Sequence, residues 1–204
     1  MTEPIVKGRN LVKRFGSVVG LNHADFDLYP GEVLAVIGDN GAGKSTLIKC
    51  FAGAHPPDEG EMWLQGEQVE FRSTHEARER GVETVFQTLA VAPALDVAAN
   101  LYLGREERKS GPLGSVLRML DKKGMRQRSS DHLQNLGIST LQNITQAVET
   151  LSGGQRQAVS VARAAAFGSQ VIILDEPTAA LGVRESAKVL NLVQDLRGRG
   201  ISVI

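Results

Sequence analysis

Residues 33–45 read Val-Leu-Ala-Val-Ile-Gly-Asp-Asn-Gly-Ala-Gly-Lys-Ser, an apolar run followed by a glycine-rich loop that ends in lysine and serine. Gly38–Ser45 has the spacing of a P-loop, with a predicted strand, Val33–Ile37, before it and a predicted helix, Lys44–Ala54, after it. Glycines let successive backbone N–H groups point inward and surround phosphate oxygens at a helix N-terminus. The Lys44 ammonium adds a positive charge, and the Ser45 hydroxyl suits a Mg²⁺ ligand. The residues predicted to hold a nucleotide here are consecutive: Gly38, Asp39, Asn40, Gly41, Ala42, Gly43, Lys44, Ser45 and Thr46.

Three further runs share the composition of the strand before the loop. Val82–Phe86, Val171–Leu174 and Ile201–Ile204 are short and rich in β-branched residues, as is typical of parallel strands covered on both faces. Helices are predicted between them, after Ser73, over Gln155–Phe167 and over Arg184–Arg197. For the last helix we predict a buried stripe made of Ala187, Leu190, Val193 and Leu196. Alternating strands and helices predict an α/β fold with a mostly parallel sheet.

An antiparallel β subdomain is predicted beside this core. Ala24–Leu28 alternates apolar and polar residues and ends at Pro30-Gly31, while Met62–Leu64 and Val69–Phe71 flank Gly66. Alternation bounded by turn residues is typical of half-buried strands.

Helical signals replace strand signals between Thr88 and Leu151. Asp96 is a predicted cap before a helix over Val97–Leu103, and a polar helix is predicted from Asp121 to Leu136. We therefore predict one nucleotide-binding domain over residues 1–204, with a P-loop core at 1–87 and 153–204 and a helical subdomain at 88–152.

Composition limits the function classes. The 204 residues carry 23 basic and 23 acidic side chains, which argues against attachment to nucleic acid or anionic membrane by bulk charge but leaves a local basic patch open. The charged stretches Arg105–Lys109 and Lys122–Arg128 are expected to be solvated surface. Cys50 has no partner for an internal disulfide, which favours a reducing compartment. No apolar run approaches the length of a membrane span, so a partner would have to bring the protein to a membrane.

Two carboxylates follow the apolar run Val171–Leu174. Asp175 and Glu176 are predicted at the C-terminal end of a strand, where ligands of open α/β sheets bind. Asp175 suits the Mg²⁺ shell, and Glu176 is placed to orient and deprotonate an attacking water. The alternative, that one of them only caps the turn at Pro177, stays open.

A third motif, Leu151-Ser152-Gly153-Gly154-Gln155, stands directly before a predicted helix. Ser152 and Gln155 have capping-box spacing, which accounts for a helix start. Gly153 and Gly154 are not explained by capping, since each costs up to about 1 kcal/mol in a helix relative to alanine. We expect them to let another molecule's phosphate approach the backbone at this positive helix end.

Together and in this order, the three motifs make the chain resemble the ATP-binding-cassette family over essentially its whole length. The resemblance implies an ATPase that uses ATP and Mg²⁺ and works as a head-to-tail pair, expected to be a homodimer, in which Ser152, Gly153, Gly154 and Gln155 of one copy meet the ATP on the other. It places Gln87 at the glutamine that contacts Mg²⁺ and water. It places Phe15 where a ring stacks on adenine, with core packing as the competing role. The implied catalytic residues are Lys44, Gln87 and Glu176, and the implied metal ligands are Ser45, Gln87 and Asp175.

The chain departs from the family pattern at two places. Ala179-Ala180-Leu181-Gly182 has glycine where the family usually has an aspartate, which puts in doubt a contact across the dimer. The family also has a histidine just after the strand at Ile201–Ile204, and the sequence stops first. The four histidines present, His23, His55, His75 and His132, are expected at the surface or in turns. We therefore expect a C-terminally truncated domain.

Asp39–Lys49, Leu89–Leu95 and Thr178–Val183 resemble the corresponding stretches of bacterial monosaccharide importers of the fructose and ribose type. This implies transmembrane permease subunits as partners, a periplasmic sugar-binding protein as an indirect partner, no nucleic acid, and a position at the cytoplasmic face of the bacterial inner membrane. Among other classes, a chromosome-associated ATPase would need a long coiled coil between Lys44 and Leu151, a translation factor would need two cassettes, and a GTPase would need an Asn-Lys-x-Asp motif. The strongest alternative is a module that binds ATP without hydrolysing it.

Overall fold

The computed structural model of the chain describes residues 3–86, 90–136, 138, 141, 143–167, 169–179 and 181–204. The chain forms two compact units and crosses between them more than once. Unit 1 comprises Met1–Phe86, Gly168–Asp175 and Leu196–Ile204, and unit 2 comprises Gln87–Phe167 and Glu176–Asp195. Among the described residues, the β-strands lie in unit 1, and the elements of unit 2 are helical.

A four-stranded antiparallel sheet forms one layer of unit 1, with the strand order β2-β1-β3-β4. Its strands are β1 (Val6–Phe15), β2 (Val18–Leu28), β3 (Glu59–Leu64) and β4 (Glu67–Val69). The predicted antiparallel strands are confirmed, but the second strand of the β3–β4 hairpin lies earlier than the predicted Val69–Phe71. Glu67 pairs with Leu64 straight after the two-residue turn at 65–66, and the pairing ends where Val69 meets Met62. A tight turn fixes the register of a hairpin, so pairing starts at the first residue after it.

A three-stranded parallel sheet forms the second layer, in the order β5-β6-β7. Its strands are β5 (Val82–Val85), β6 (Val171–Leu174) and β7 (Ser202–Val203). These confirm three of the four predicted parallel strands. The fourth prediction, Val33–Ile37, is wrong in extent: Val33 makes a single parallel bridge with Val203, the Leu34 N–H donates to the Val203 carbonyl at 2.8 Å, and Ile37 is 90% exposed. In the described residues, pairing with β7 therefore reaches only the start of this run.

Helix α1 (Lys44–Phe51) is fixed by the core of unit 1. Phe51 packs on Phe26 of β2 with ring centroids 4.8 Å apart, and Val171 and Ile173 of β6 belong to the same buried cluster. Helix α1 therefore packs against residues of both sheets. This packing fixes the position of the helix start, where the preceding loop ends. The second helix of this unit, α2 (Thr74–Glu79), begins as predicted after Ser73, whose hydroxyl accepts the Glu76 N–H at 3.2 Å.

In the residues of unit 2 that the structure describes, there are five helices and a short 3-10 turn. The predicted cap Asp96 is confirmed, since its carboxylate accepts the Ala99 N–H at 2.7 Å. Asp121, where a polar helix was predicted to begin, also caps its helix by accepting the Gly124 N–H at 3.0 Å. Asn100 is fully buried and donates from its side-chain amide to the carbonyls of residues 92, 95 and 96, which fixes the start of the first of these helices. The elements are α3 (Val97–Leu101), α4 (Pro112–Ser115), α5 (Lys122–Asn135), the 3-10 turn (Val148–Thr150), α6 (Gly153–Ala165) and α7 (Val183–Gly198), whose last turn belongs to unit 1.

The buried stripe of α7 differs from the predicted one. Val189, Leu192, Val193 and Leu196 are buried, whereas Ala187 is exposed and Leu190 is 56% exposed. The buried set follows the i, i+3, i+4, i+7 spacing of one helix face. The predicted set was spaced strictly by three residues, and such a row drifts about 60° at each step because a helix has 3.6 residues per turn.

Candidate functional site

The glycine-rich loop is bound to its own lysine. The Lys44 ammonium donates to the carbonyl oxygens of Gly38 at 2.7 Å and Asp39 at 2.8 Å, and the Ala42 N–H donates to the Asp39 carbonyl at 3.1 Å. Gly43 is the N-cap of α1, has no side chain to cap the helix, and is followed by a first turn without acidic residues. The positive end of the α1 dipole and the lysine charge therefore lie together, which is the electrostatic requirement of a polyanion site.

Gly43 is required by a close approach of two backbones. Its φ is 87°, and an added Cβ would lie 2.5 Å from the Gly20 carbonyl oxygen of β2. Gly41 has the same φ but would meet nothing within 4 Å. The β1–β2 hairpin thus packs against the base of the loop at Gly43, and the middle of the loop at Gly41 faces open space.

Phe15 lies beside this contact. It ends β1 and is 43% exposed, and its ring lies 2.9 Å from where a Cβ on Gly20 would be. His55 meets the same ring edge-on with centroids 5.5 Å apart, and the Lys13 ammonium lies 5.9 Å from the ring centroid. Lys13 is itself held by Asp58 at 2.7 Å, and this hydrogen bond keeps the pKa of the Asp58 carboxyl below its ordinary value. The sequence prediction missed His55, because no motif marks a histidine that follows α1.

Asp175 occupies the predicted strand end. Its backbone N–H donates to the Val85 carbonyl at 2.9 Å, which extends β6 toward its carboxyl edge, and the residue is half-buried. The parallel bridge at Val33 lies next to β7, and β7 lies next to β6, so the glycine-rich loop and Asp175 leave the same edge of the sheet. This is the edge where open α/β sheets bind ligands.

The donor atoms at this edge suit Mg²⁺. The Asp175 carboxylate and the Ser45 hydroxyl, in the first turn of α1, are hard oxygen donors. No cluster of three or more histidine, cysteine or acidic side chains occurs among the residues that the structure describes. Mg²⁺ at nucleotide sites is held by one or two protein oxygens together with phosphates and waters, so such a cluster is not needed. Gln87, the third predicted metal ligand, lies outside the described residues.

Glu176 has a strained backbone. Its φ is 50°, in the left-handed region, and its carbonyl accepts the Ala179 N–H at 3.2 Å to close a turn. A side chain in this region costs of order 1 kcal/mol or more, and such residues cluster at functional sites. The carboxyl side chain is exposed at the start of the turn.

The capping box of α6 is present as predicted. The Ser152 hydroxyl accepts the Gln155 N–H at 3.3 Å, and the Gln155 side-chain oxygen accepts the Ser152 N–H at 2.9 Å. Gly154 also has a packing role that the sequence did not reveal, since a Cβ there would lie 2.9 Å from Cγ of Glu185. Ser152, Gly154 and Gln155 border a cavity of about 730 Å³ that Glu185 also lines. The helix start is therefore accessible on the face that carries the motif.

Gly182 has a physical explanation in the same region. A Cβ at this position would lie 2.8 Å from a carboxylate oxygen of Glu185. An aspartate here would bring two like charges together, which is destabilising. Glycine avoids that repulsion.

Comparison with known proteins identifies relatives over almost the full chain. Residues 21–179 match the family model described as ABC transporter. The chain is 60% identical over 202 residues to a fructose import ATP-binding protein of Rhizobium meliloti, covering 99% of this chain and 78% of that protein. It is 44% identical to a xylose/arabinose import ATP-binding protein of Sulfolobus acidocaldarius, covering 96% and 75%. It is 40% identical to a ribose import ATP-binding protein of Rubrobacter xylanophilus, covering 98% and 38%.

Solved structures agree with the sequence relatives. An ATP-binding cassette of an ABC transporter in its ADP conformation matches with a TM-score of 0.84 and 29% identity, covering 99% of this chain and 80% of that one. A nucleotide-free cassette matches with a TM-score of 0.82 and 28% identity, covering 98% and 79%. These matches confirm the predicted α/β fold. None of the helices in the described part of the chain is both long enough and apolar enough to cross a membrane.

Proposed function

The chain belongs to the ABC transporter family, and from that premise we propose that it hydrolyses ATP to drive import of a monosaccharide, such as fructose or ribose, through a membrane permease. Family membership makes it a transport-coupled ATPase. The observation that carries the sugar assignment is the 60% identity to a fructose importer over nearly the whole chain. Relatives named for xylose, arabinose and ribose support monosaccharides as the substrate class.

We propose that residues 38–46 hold the triphosphate. The backbone amides at the α1 start and the Lys44 ammonium supply the positive charge, and phosphate oxygens would replace the carbonyls of Gly38 and Asp39 as acceptors for the lysine. The exposed ring of Phe15, next to this loop, is assigned to the adenine.

Ser45, Asp175 and Gln87 are the proposed ligands of Mg²⁺. When bound, the ion neutralises charge on the phosphates and orients them. Glu176 is the proposed general base, which accepts a proton from the attacking water at its carboxylate.

The site is proposed to be completed by a second copy of the chain. Residues 152–155 of one copy would bring the N-terminus of α6 to the terminal phosphate bound by the other copy, in a head-to-tail homodimer. The exposed helix start and its cavity support this arrangement. Gly182 has no side chain and therefore contributes no carboxylate to the proposed dimer interface.

Partners and location follow from the transport role. The permease subunits would hold the chain at the cytoplasmic face of the bacterial inner membrane, and a periplasmic sugar-binding protein would supply the substrate.

We propose a division of the chain into a P-loop core, residues 1–87 and 153–204, and a helical subdomain, residues 88–152. The 153–167 segment groups with unit 2 by contacts, so the N-terminus of α6 lies within that unit.

Reconstitution with the permease and binding protein tests the assignment. Proteoliposomes should accumulate labelled fructose or ribose only with ATP, and Ser152→Arg should stop transport while the isolated chain still binds ATP. A complex that moves another solute but no monosaccharide would exclude the sugar assignment. ATP binding without phosphate release, in the intact complex, would instead identify a nucleotide-binding module.

A further inference from the structure

Residues 109–123 of unit 2 form an exposed segment that combines apolar and basic side chains, here called the basic-apolar patch. Five of the fifteen large apolar side chains that are exposed in the described part of the chain lie in this segment: Leu113, Val116, Leu117, Met119 and Leu120. Val116 and Leu117 are 75% and 64% exposed. Clustered exposed apolar side chains mark a contact surface.

The patch also carries surplus positive charge. Between Lys109 and Arg126 the sequence has five basic residues and one acid, Asp121, although the whole chain is neutral. The Asp121 carboxylate already accepts a hydrogen bond from the Gly124 N–H at 3.0 Å and forms a salt bridge with Arg128 at 3.6 Å. Arg126 pairs with Asp96 at 3.0 Å. Within the described ranges, the other four cations, Lys109, Arg118, Lys122 and Lys123, make no salt bridge.

The position of two of these lysines is unfavourable for the fold. Lys122 and Lys123 are the first two residues of α5, whose first turn contains no acidic residue. A helix N-terminus carries partial positive charge, so cations there destabilise the helix. The N-cap Asp121 supplies one carboxylate at this helix end, but neither lysine forms a salt bridge with it in the described ranges, so both cations remain available to an external anion.

Backbone pairing holds the patch in place. The Lys109 N–H donates to the Met119 carbonyl at 2.9 Å, and the Asp121 N–H donates to the Glu107 carbonyl at 2.8 Å. Arg128 binds the Glu107 carboxylate behind this pairing. A recess of about 750 Å³ is lined by Lys109, Lys122 and Lys123 together with Met119 and Leu120. Cations and apolar groups thus border the same opening.

We propose that the basic-apolar patch binds the anionic phospholipid surface of the membrane, with Lys109, Lys122 and Lys123 at headgroup phosphates and Val116 and Leu117 in the interfacial layer. The proposal rests on the proposed function, which places the chain beside a permease. Cytoplasmic loops of membrane proteins carry an excess of lysine and arginine, which the patch repels. An anionic leaflet attracts basic segments. Lipid is therefore the membrane component with complementary charge.

Vesicle flotation of the full chain without nucleotide tests this. The chain should float with phosphatidylcholine vesicles that contain one part in three phosphatidylglycerol, and not with pure phosphatidylcholine. Lys122→Ala/Lys123→Ala should weaken binding about 25-fold, because each cation near an anionic surface contributes about fivefold. Val116→Ser/Leu117→Ser should also weaken it. Binding should disappear in about 1 M salt, where the Debye length is about 3 Å.

The matched control is Arg197→Ala/Arg199→Ala, which removes two exposed cations outside the patch and outside the cavity beside Ser152. It should leave flotation unchanged. The proposal is overturned if the chain does not float with anionic vesicles, if Lys122→Ala/Lys123→Ala floats like the unmodified chain, if the serine variant does so, or if a DNA duplex is bound as tightly as the vesicles. ATP hydrolysis by the same preparations, measured without vesicles, should be equal for all variants. A loss of ATP hydrolysis would count against the proposed function. Lipid binding is tested by flotation alone.

Discussion

Replacing Gly43 with alanine separates the two reasons for a glycine at the start of α1. The new methyl group would lie 2.5 Å from the Gly20 carbonyl oxygen, closer than any non-bonded contact allows, so backbone must move. Overpacking of this kind costs about 1–3 kcal/mol. The left-handed backbone, φ 87°, adds about 1–2 kcal/mol for a residue with a Cβ.

Gly41→Ala is the matched control, because it shares the φ of 87° and meets no atom within 4 Å. We expect Gly41→Ala to lower the free energy of unfolding only by the cost of the left-handed backbone. Gly43→Ala should lower the free energy of unfolding by about 1–3 kcal/mol more. Urea denaturation without nucleotide measures the difference, and the melting temperature should fall by about 2–4 °C for each kcal/mol. Equal stability of the two variants would refute the claim that the hairpin packs on the loop.

Four further predictions concern the site and the core. Lys44→Ala should weaken ATP binding by about 10- to 100-fold or more, as expected for a lost charged hydrogen bond; calorimetry should show no comparable loss for Lys49→Ala, at the other end of α1, and an equal loss would contradict the assignment. Glu176→Gln should keep ATP binding and slow phosphate release by about 10² or more, and a normal rate in the permease complex would remove Glu176 as the base. Phe15→Ala should weaken binding of ATP but not of inorganic triphosphate, which has no base to stack; equal losses would assign Phe15 to packing. Burial raises the pKa of the Cys50 thiol to about 11 from 9.0, so Cys50 stabilises the fold fully below pH 9.0 and this contribution is lost as the pH rises through 11, because the unfolded thiol ionises first. Urea melts across that window should fall less steeply for Cys50→Ala, and parallel curves would show that the thiol does not contribute.

Local patterns predicted most elements of the fold. The capped helices at Ser73, Asp96, Asp121 and Ser152 are where the sequence placed them, because a cap is a contact within four residues. The errors in β4 and in the α7 stripe were local, since they came from the turn at 65–66 and from the 3.6-residue period of the helix. The error at Val33–Ile37 came from a contact between distant residues. Val33–Ile37 has strand composition, but its pairing is with Val203, a residue far along the chain that no local pattern identifies.

The candidate site likewise combines motifs that the local sequence reveals with contacts that it does not reveal. The glycine-rich loop and the carboxylates after β6 were recognisable from spacing alone. Three contacts join residues that are more than 20 positions apart, so no motif encodes them: Gly43 with Gly20, His55 with the Phe15 ring, and Glu185 with Gly154. The left-handed backbone of Glu176 was also invisible, since glutamate carries no conformational signal for it.

That left-handed glutamate affects how the protein can be engineered for heat resistance. Glycine adopts a φ of 50° without strain, so a library screened only for survival at high temperature should enrich Glu176→Gly. The selected variants would be more stable, but they would lack the carboxylate that we propose as the general base. Thermostabilisation of this cassette therefore has to hold residue 176 fixed and look for improvement elsewhere.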